Sequence, residues 1–342
     1  MQIYQRGSLT GEGFSVDRMR TEQSTLDENV VTTQGTVASG TTPYSLGFRN
    51  TWKIQNGNQT SSAPNDVRIM LQYKIEAQDI ANSGWNYTSS SSFITLSFWV
   101  KSSVAQNFYG IFQTNDGTEY NYPFETGSLT ADTWTKIVKT IPGNSNLQFD
   151  NDNGIGVKIE IHMIRGVVYT DSGVSLNTWA AYATGTRTPN QTTTWYSTND
   201  ATFEITGIQL EVGPQATAFE HRSFGDEFVL CQRYYQQFIN PPINGIVSST
   251  ANRTENHAFI LPVEMRSAPT LSISNTGNNN GQRIYDGSAT KYITSLLSSG
   301  KTASHLSISY NLSGDLTNHR PALAIGPLNT DDQTTFKIEA EL

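Results

Sequence analysis

The stretch ITGIQLEVGPQATAFEHRSFGDEFVLCQRYYQQF, Ile205 to Phe238, is where the chain changes character. Ile205, Ile208, Leu210 and Val212 are apolar and β-prone, which predicts a strand. Gly213-Pro214 ends it, because proline cannot donate to a ladder. Ser223 suits a helix N-cap, with Asp226 and Glu227 in the first turn, where the helix dipole favours negative charge. Phe224, Phe228, Cys231 and Tyr235 recur at helical spacing, so the pattern predicts a linker helix over 223–238 with Cys231 buried. Pro241-Pro242 stops any continuation. The stretch therefore closes one β-rich domain, 1–222, and opens a second, 239–342.

Outward from this junction the chain reads as β throughout. Val67, Ile69, Leu71, Tyr73 and Ile75 alternate with Arg68, Gln72 and Lys74, the signature of a half-buried strand. FITLSFWVK, Phe93 to Lys101, is a mostly apolar run fit for a sandwich centre, and its neighbours Phe98 and Trp99 point to opposite sheet faces. Alternation returns at 134–141 and over Val157 to His162. Phe48 and Trp52 are core anchors in a polar region. Many strands broken by turns predict an all-β protein, with an N-terminal antiparallel jelly-roll β-sandwich. Strands at 245–249, 257–263, 270–274, 304–310 and 333–338 predict a smaller C-terminal β-sandwich, with NTGNNNGQ (Asn275 to Gln282) as a turn or loop.

Composition narrows the function. The 342 residues carry 15% charged and 11% aromatic side chains, six of them Trp, and a net charge of −8. There is no basic run, which argues against a nucleic-acid groove. No apolar run approaches the ~20 residues that cross a bilayer, and Met1 does not open a signal peptide. A lone cysteine rules out an internal disulfide.

No catalytic motif is present: GxSxG, HExxH, a P-loop and paired cysteines are all missing. The five histidines share no ligand spacing, and His162 reads as a structural residue in a strand. A glycosidase carboxylate pair could still converge in space, since such pairs need no sequence proximity. Asp150 and Asp152, in DNDNG, place hard oxygen ligands at alternate positions and are the candidate calcium ligands; the other reading is a tight turn. No other cofactor is expected. LNTWAAYATGTRTPNQTTTWYST, Leu176 to Thr198, supplies Trp179, Tyr182, Arg187, Trp195 and Tyr196, aromatic faces and polar groups of the kind that bind sugars. The competing role for Trp179 and Trp195 is ordinary packing. Tyr120, Tyr122 and Phe124 form a second aromatic cluster, and the 315–320 loop is a further contact surface. Phe228, Tyr234 and Tyr235 are candidates for subunit or domain contact.

The run GIQLEVGPQATAFEHRSFGDEFVLCQRYY, Gly207 to Tyr235, resembles a segment of bacteriophage virion proteins, especially tail fibres of marine and cyanobacterial phages. MQIYQRGSLTGEGFSVDRMR at Met1 to Arg20, LPVEMRSAPTLSIS at Leu261 to Ser274 and the closing AEL at Ala340 to Leu342 fit the same family, so the resemblance spans nearly the whole chain. It implies a jelly roll like a carbohydrate-binding module, followed by a C-terminal β domain. It implies a non-enzymatic virion protein, made in the host cytoplasm, that attaches to host cell-surface glycan. Other virion proteins are the expected partners, and a homotrimer the expected assembly, with no nucleic acid and no membrane insertion. Two alternatives stand beside it: a capsid decoration or tail component with protein contacts only, and a polysaccharide depolymerase.

Overall fold

The structure, a computed structural model, describes residues 2–241, 244–248, 252–274, 282–325 and 333–342. The chain divides into two compact units, residues 1–224 and 225–341, with Leu342 grouped with the first.

In the first unit the strands are β1 (Leu9–Thr10), β2 (Gly13–Phe14), β3 (Arg20–Ser24), β4 (Val31–Thr36), β5 (Asn50–Gln55), β6 (Arg68–Glu76), β7 (Phe93–Ser102), β8 (Asn107–Thr114), β9 (Tyr120–Ser128), β10 (Thr135–Pro142), β11 (Ile155–Arg165), β12 (Ala180–Ala181) and β13 (Thr202–Val212). They form two antiparallel sheets, in the orders β1-β4-β5-β13-β7-β10 and β12-β9-β8-β11-β6-β3-β2. Each sheet turns its apolar alternate residues inward, as period-2 patterning requires. Trp52, Ile54, Leu96, Phe98, Val100, Phe203 and Ile205 come from the first sheet; Ile69, Leu71, Phe108, Phe112, Phe124, Ile159 and Ile161 come from the second; all are buried in one core. Phe108 and Phe203 meet edge to face across it, centroids 4.9 Å apart. The all-β jelly-roll sandwich expected from the alternation is what forms. Phe98 is in the core, while Trp99 faces outward and is half-buried.

Three short helices, α1 (Thr42–Ser45), α2 (Ala77–Ala81) and α3 (Thr194–Ser197), lie in the connections. The fourth, α4, spans Phe224–Gln232. The expected helix over 223–238 therefore ends six residues early. Tyr235–Ile239 is strand β14, paired along its whole length with the strand Thr335–Glu339. Tertiary pairing decides here, because a short isolated helix is marginal and a ladder partner satisfies the same backbone groups. Cys231 is buried, as its place on the apolar stripe predicts.

The second unit continues with β15 (Asn244–Val247), β16 (Arg253–Ile260), β17 (Thr270–Ile273), β18 (Arg283–Tyr285), β19 (Thr290–Lys301), β20 (His305–Leu312), β21 (Pro321–Ile325) and β22 (Thr335–Glu339). Among the described residues, β15-β16-β20-β19-β18-β21 close into a barrel, and β14-β22-β17 form a three-stranded sheet. Both contribute to one core: Leu306, Ile308 and Tyr310 from the barrel, Phe336 and Ile338 from the sheet. β14, β18, β19 and β21 are strands that hydropathy alone did not point to. Residues 275–281 of the expected loop lie outside the described residues.

Candidate functional site

The side chains that point away from the core at the centre of the seven-stranded sheet are mostly polar. On β11 they are Lys158, Glu160 and His162, which the register places beside Lys74, Gln72 and Met70 of β6 and beside Gln113, Ile111 and Tyr109 of β8. Alternation dictates this layer: the same spacing that sends Val157, Ile159 and Ile161 inward sends their neighbours out. Gln72, Glu160, His162 and Arg165 are nevertheless buried.

Buried charge needs partners. Arg165 Nη2 donates to Glu160 Oε2 at 2.7 Å, and Gln72 Nε2 donates to Glu160 Oε1 at 2.9 Å. His162 Nε2 lies 3.2 Å from Glu160 Oε2, and Gln191 Nε2 lies 3.3 Å from His162 Nδ1. An amide nitrogen can only donate, so Nδ1 accepts and the ring proton sits on Nε2, facing the carboxylate. Burial and the adjacent Arg165 charge lower the His162 pKa to about 4, against the opposing pull of Glu160, so this neutral tautomer holds at pH 7. Burial alone would raise Glu160; the Arg165 charge and the bonds from His162 and Gln72 outweigh it and hold the carboxyl well below the usual range.

At the rim of this network sits a second cation. The Arg187 guanidinium stands 5.4 Å from the Tyr169 ring centre and 5.0 Å from that of Tyr182, and its Nη2 donates to the Tyr182 hydroxyl. Arg165 lies over the same Tyr169 ring at 5.7 Å. Two rings and two guanidiniums are thus layered at one edge of the sheet, an arrangement that cation–π attraction stabilises. Several enclosed polar atoms here make no hydrogen bond within the protein: Gln72 Oε1, both amide atoms of Asn121, Nε and Nη1 of Arg165, and Nε of Arg187. These atoms are enclosed, so the network meets the outside only at its rim, through the half-buried Tyr169, Tyr182 and Arg187.

The sequence-derived ligand set divides. Tyr182 and Arg187 come together at this rim, both half-buried. Trp179 is half-buried; its indole N–H donates to the Pro142 carbonyl at 2.7 Å and its ring packs on Tyr122 at 5.3 Å, so it caps the core. Trp195 and Tyr196, in α3, are 0% and 1% exposed, and this corrects their assignment: enclosed rings offer no face to a ligand. Tyr122 and Phe124 are core as well. Glu160, His162, Arg165, Tyr169 and Gln191 are the members that motif reasoning missed. The alternation at Val157–His162 carried the signal, because it put three polar side chains on one face.

Phe228 is half-buried, and Tyr234 and Tyr235 are 4% and 3% exposed. The Tyr234 carbonyl accepts from Ala340 N at 2.9 Å, and the Tyr235 hydroxyl bonds Gln237 at 2.7 Å. Of the two roles expected for them, subunit or domain contact, the enclosed tyrosines offer no exposed ring to a subunit. Asp152 Oδ1 accepts from Gly154 N at 2.8 Å, the bonding of a tight turn, and Asp150 N donates to Asp116 Oδ2 of a distant loop at 3.1 Å. Burial, together with the charges of Asp150 and Asp152, raises the pKa of Asp116 despite that bond. Among the described residues no group of three or more His, Cys, Asp or Glu is placed to hold a metal ion. No helix among them is long and apolar enough to cross a membrane.

No protein-family model matches the chain, and no curated protein sequence is similar to it. Among solved structures it is similar to the enzymatically active domain of tailspike protein 4 of bacteriophage CBA120, at 8% identity and a TM-score of 0.30, over 61% of this chain and 20% of that one. It is also similar to the family 11 carbohydrate-binding module of Clostridium thermocellum in complex with a mixed-linked tetrasaccharide, at 14% identity and a TM-score of 0.26, over 63% of this chain and 98% of that one. A tandem of family 22 modules from Paenibacillus barcinonensis matches at 7% identity and a TM-score of 0.26, over 98% of this chain and 93% of that one. None of these likenesses is close enough to carry a site or an activity across.

Proposed function

We propose that this chain is a non-catalytic bacteriophage virion protein, a tail fibre or fibre-like appendage, that binds host-surface glycan through the outer face of its seven-stranded sheet. The binding half rests on one observation: the half-buried rings of Tyr169 and Tyr182 and the Arg187 guanidinium between them, gathered at the rim of the buried network. Sugars present hydroxyls and C–H faces together, and this is the chemistry that meets both. The virion half rests on the resemblance of Gly207–Tyr235 and its companion stretches. It carries the localisation, in the particle after synthesis in the host cytoplasm.

The proposal includes assembly into a homotrimer, since weak single sites become firm attachment only in several copies. Phe224, Val229 and Leu230 of α4 are 59%, 49% and 47% exposed and offer apolar surface for such contact. The same surface favours the second reading, a decoration or tail component that touches only other virion proteins. A depolymerase ranks third: both Glu160 oxygens are engaged by Arg165, His162 and Gln72, which leaves this carboxylate no free role as acid or nucleophile. Adsorption of host cells to the purified chain, compared with Arg187→Ala and Tyr182→Ala variants, tests the proposal. Loss of adsorption in both variants is the expected result, and unchanged adsorption in both would refute the site.

A further inference from the structure

The opposite, six-stranded sheet carries a separate cleft that the glycan proposal does not use. It measures about 240 Å³ and is lined by Trp99, Ser97, Lys136, Phe48, Phe219 and His221, with Gly207 beside them. The sequence builds it deliberately. Trp99 on β7 and Lys136 on β10 are direct cross-strand partners, so both project from the outer face side by side. The chain after β13 folds back over that face and is fastened there. The Glu211 carboxylate accepts from Thr217 N at 2.8 Å and from Thr217 Oγ1 at 2.6 Å, and Gln209 Oε1 accepts from Glu220 N at 2.8 Å. Phe48, Phe219 and His221 then stack as a trio, with centroids 4.8, 5.3 and 4.9 Å apart. His221 Nε2 donates to the Leu46 carbonyl at 2.8 Å, which fixes its ring.

A register shift in β13 between Thr206 and Gln209 lies under this trio. Gly207 sits in it at φ +61°, and a Cβ there would fall 2.5 Å from the Phe48 ring. The missing side chain at Gly207 thus leaves room for the tip of the Phe48 ring, whose Cζ and Cε1 come nearest. The product is a rigid aromatic wall facing an indole, with an exposed ammonium at the mouth. No carboxylate lines the cleft, in a chain whose net charge is −8. Of the two acids on the strand beneath, Glu204 pairs with Lys101 at 2.8 Å, and Glu211, which feels the Lys136 charge, accepts both Thr217 bonds that hold the loop.

We propose that this cleft binds a single anionic sugar ring, a pyranose bearing a carboxylate or a sulfate, stacked on Trp99 with its charge toward Lys136. The volume falls below the roughly 300–1,000 Å³ of drug-sized sites, which suits one ring rather than an extended chain. The indole supplies the apolar face, and Ser97 and Lys136 supply donors. The proposal stands on its own observations and does not need the seven-stranded sheet to bind anything.

The test is calorimetric titration of the full chain with three probes: an oligogalacturonate, a sulfated galactan oligosaccharide and a neutral glucan oligosaccharide. One or both acidic probes should bind, the response naming which anion the cleft takes, and the neutral probe should bind at least about tenfold more weakly. Trp99→Ala and Lys136→Gln should each weaken the acidic probe about tenfold or more, and Trp99→Phe should retain most of the affinity. Equal binding of the neutral probe, no binding of either acidic probe, or affinity unaltered by Lys136→Gln would overturn the proposal. If Arg187→Ala abolishes binding while Lys136→Gln does not, the anion sits on the seven-stranded sheet instead.

Discussion

Arg165 and Glu160 face each other at 2.7 Å with both side chains enclosed, on a sheet face that in most sandwiches meets water. The pair is held by Gln72 and His162 and roofed by Tyr169. It fixes how β11 meets the segment that carries Tyr182 and Arg187. Breaking it by one partner should therefore cost far more than replacing it whole. Glu160→Gln leaves a guanidinium buried without its counter-charge and should destabilise the first unit by roughly 3–5 kcal/mol, whereas the double change Glu160→Gln, Arg165→Met should recover much of that. Urea unfolding followed by tryptophan fluorescence measures both.

Acid should weaken the same network. The folded-state pKa of His162 is about 4, against 6.5 for the free side chain, so the unfolded chain takes up the proton first. The stability this represents is complete above pH 6.5 and is lost as pH falls from 6.5 toward 4, about 3 kcal/mol if the group acted alone. The depressed Glu160 adds a loss of the same sign below its ordinary range, and the two titrate as a pair. Denaturation midpoints measured from pH 7.5 to 4 should fall steadily, and His162→Gln should flatten the slope between pH 6.5 and 4.5. A flat wild-type profile would place the imidazole in water.

Phe98 and Trp99 are adjacent but unequal. Phe98 is fully enclosed, so Phe98→Ala should cost roughly 3–5 kcal/mol. Trp99 lies half-exposed on the other face, so Trp99→Ala should cost markedly less. Equal losses in equilibrium unfolding would contradict the assignment of the two faces.

Gly207→Ala should be expensive for so small a change. Its left-handed φ and the 2.5 Å approach of Phe48 to a built Cβ both oppose a side chain. A cost of roughly 1–3 kcal/mol is expected from the backbone alone. The Phe48–Phe219–His221 stack should loosen with it, which ring-proton NMR shifts would report.

The strands that form were legible where apolar and polar side chains alternate, even where both faces end up enclosed. Val67 to Ile75 and Val157 to His162 gave themselves away by alternation alone, because a one-residue slip would turn every apolar side chain to the other face. β19, TKYITSLLSSGK, was not legible, although its partners β18 and β20 are its neighbours in the chain, because its serines and lysines interrupt the pattern. The helix ran over into β14 for a different reason: Tyr235 fits either period until the distant strand β22 is in place. At the site, Tyr182 and Arg187 could be found because aromatic and cationic residues stood out in a polar stretch. Trp195 and Tyr196 stood out equally and yet turn inward, where Trp195 N bonds Gln106 and its indole N–H bonds the Thr202 carbonyl. Composition does not encode that choice; the closure of α3 against the sandwich does.

The central claim is that the outer face of the seven-stranded sheet binds glycan without cleaving it. The most direct measurement is titration of the purified full chain with surface polysaccharide from a susceptible host, with reducing ends counted in the same sample. The account predicts saturable binding, no release of reducing ends, and an affinity about tenfold or more weaker in Arg187→Ala, where one guanidinium–ring–hydroxyl contact is lost. Absence of binding, binding indifferent to Arg187, or a steady rise in reducing ends would contradict it.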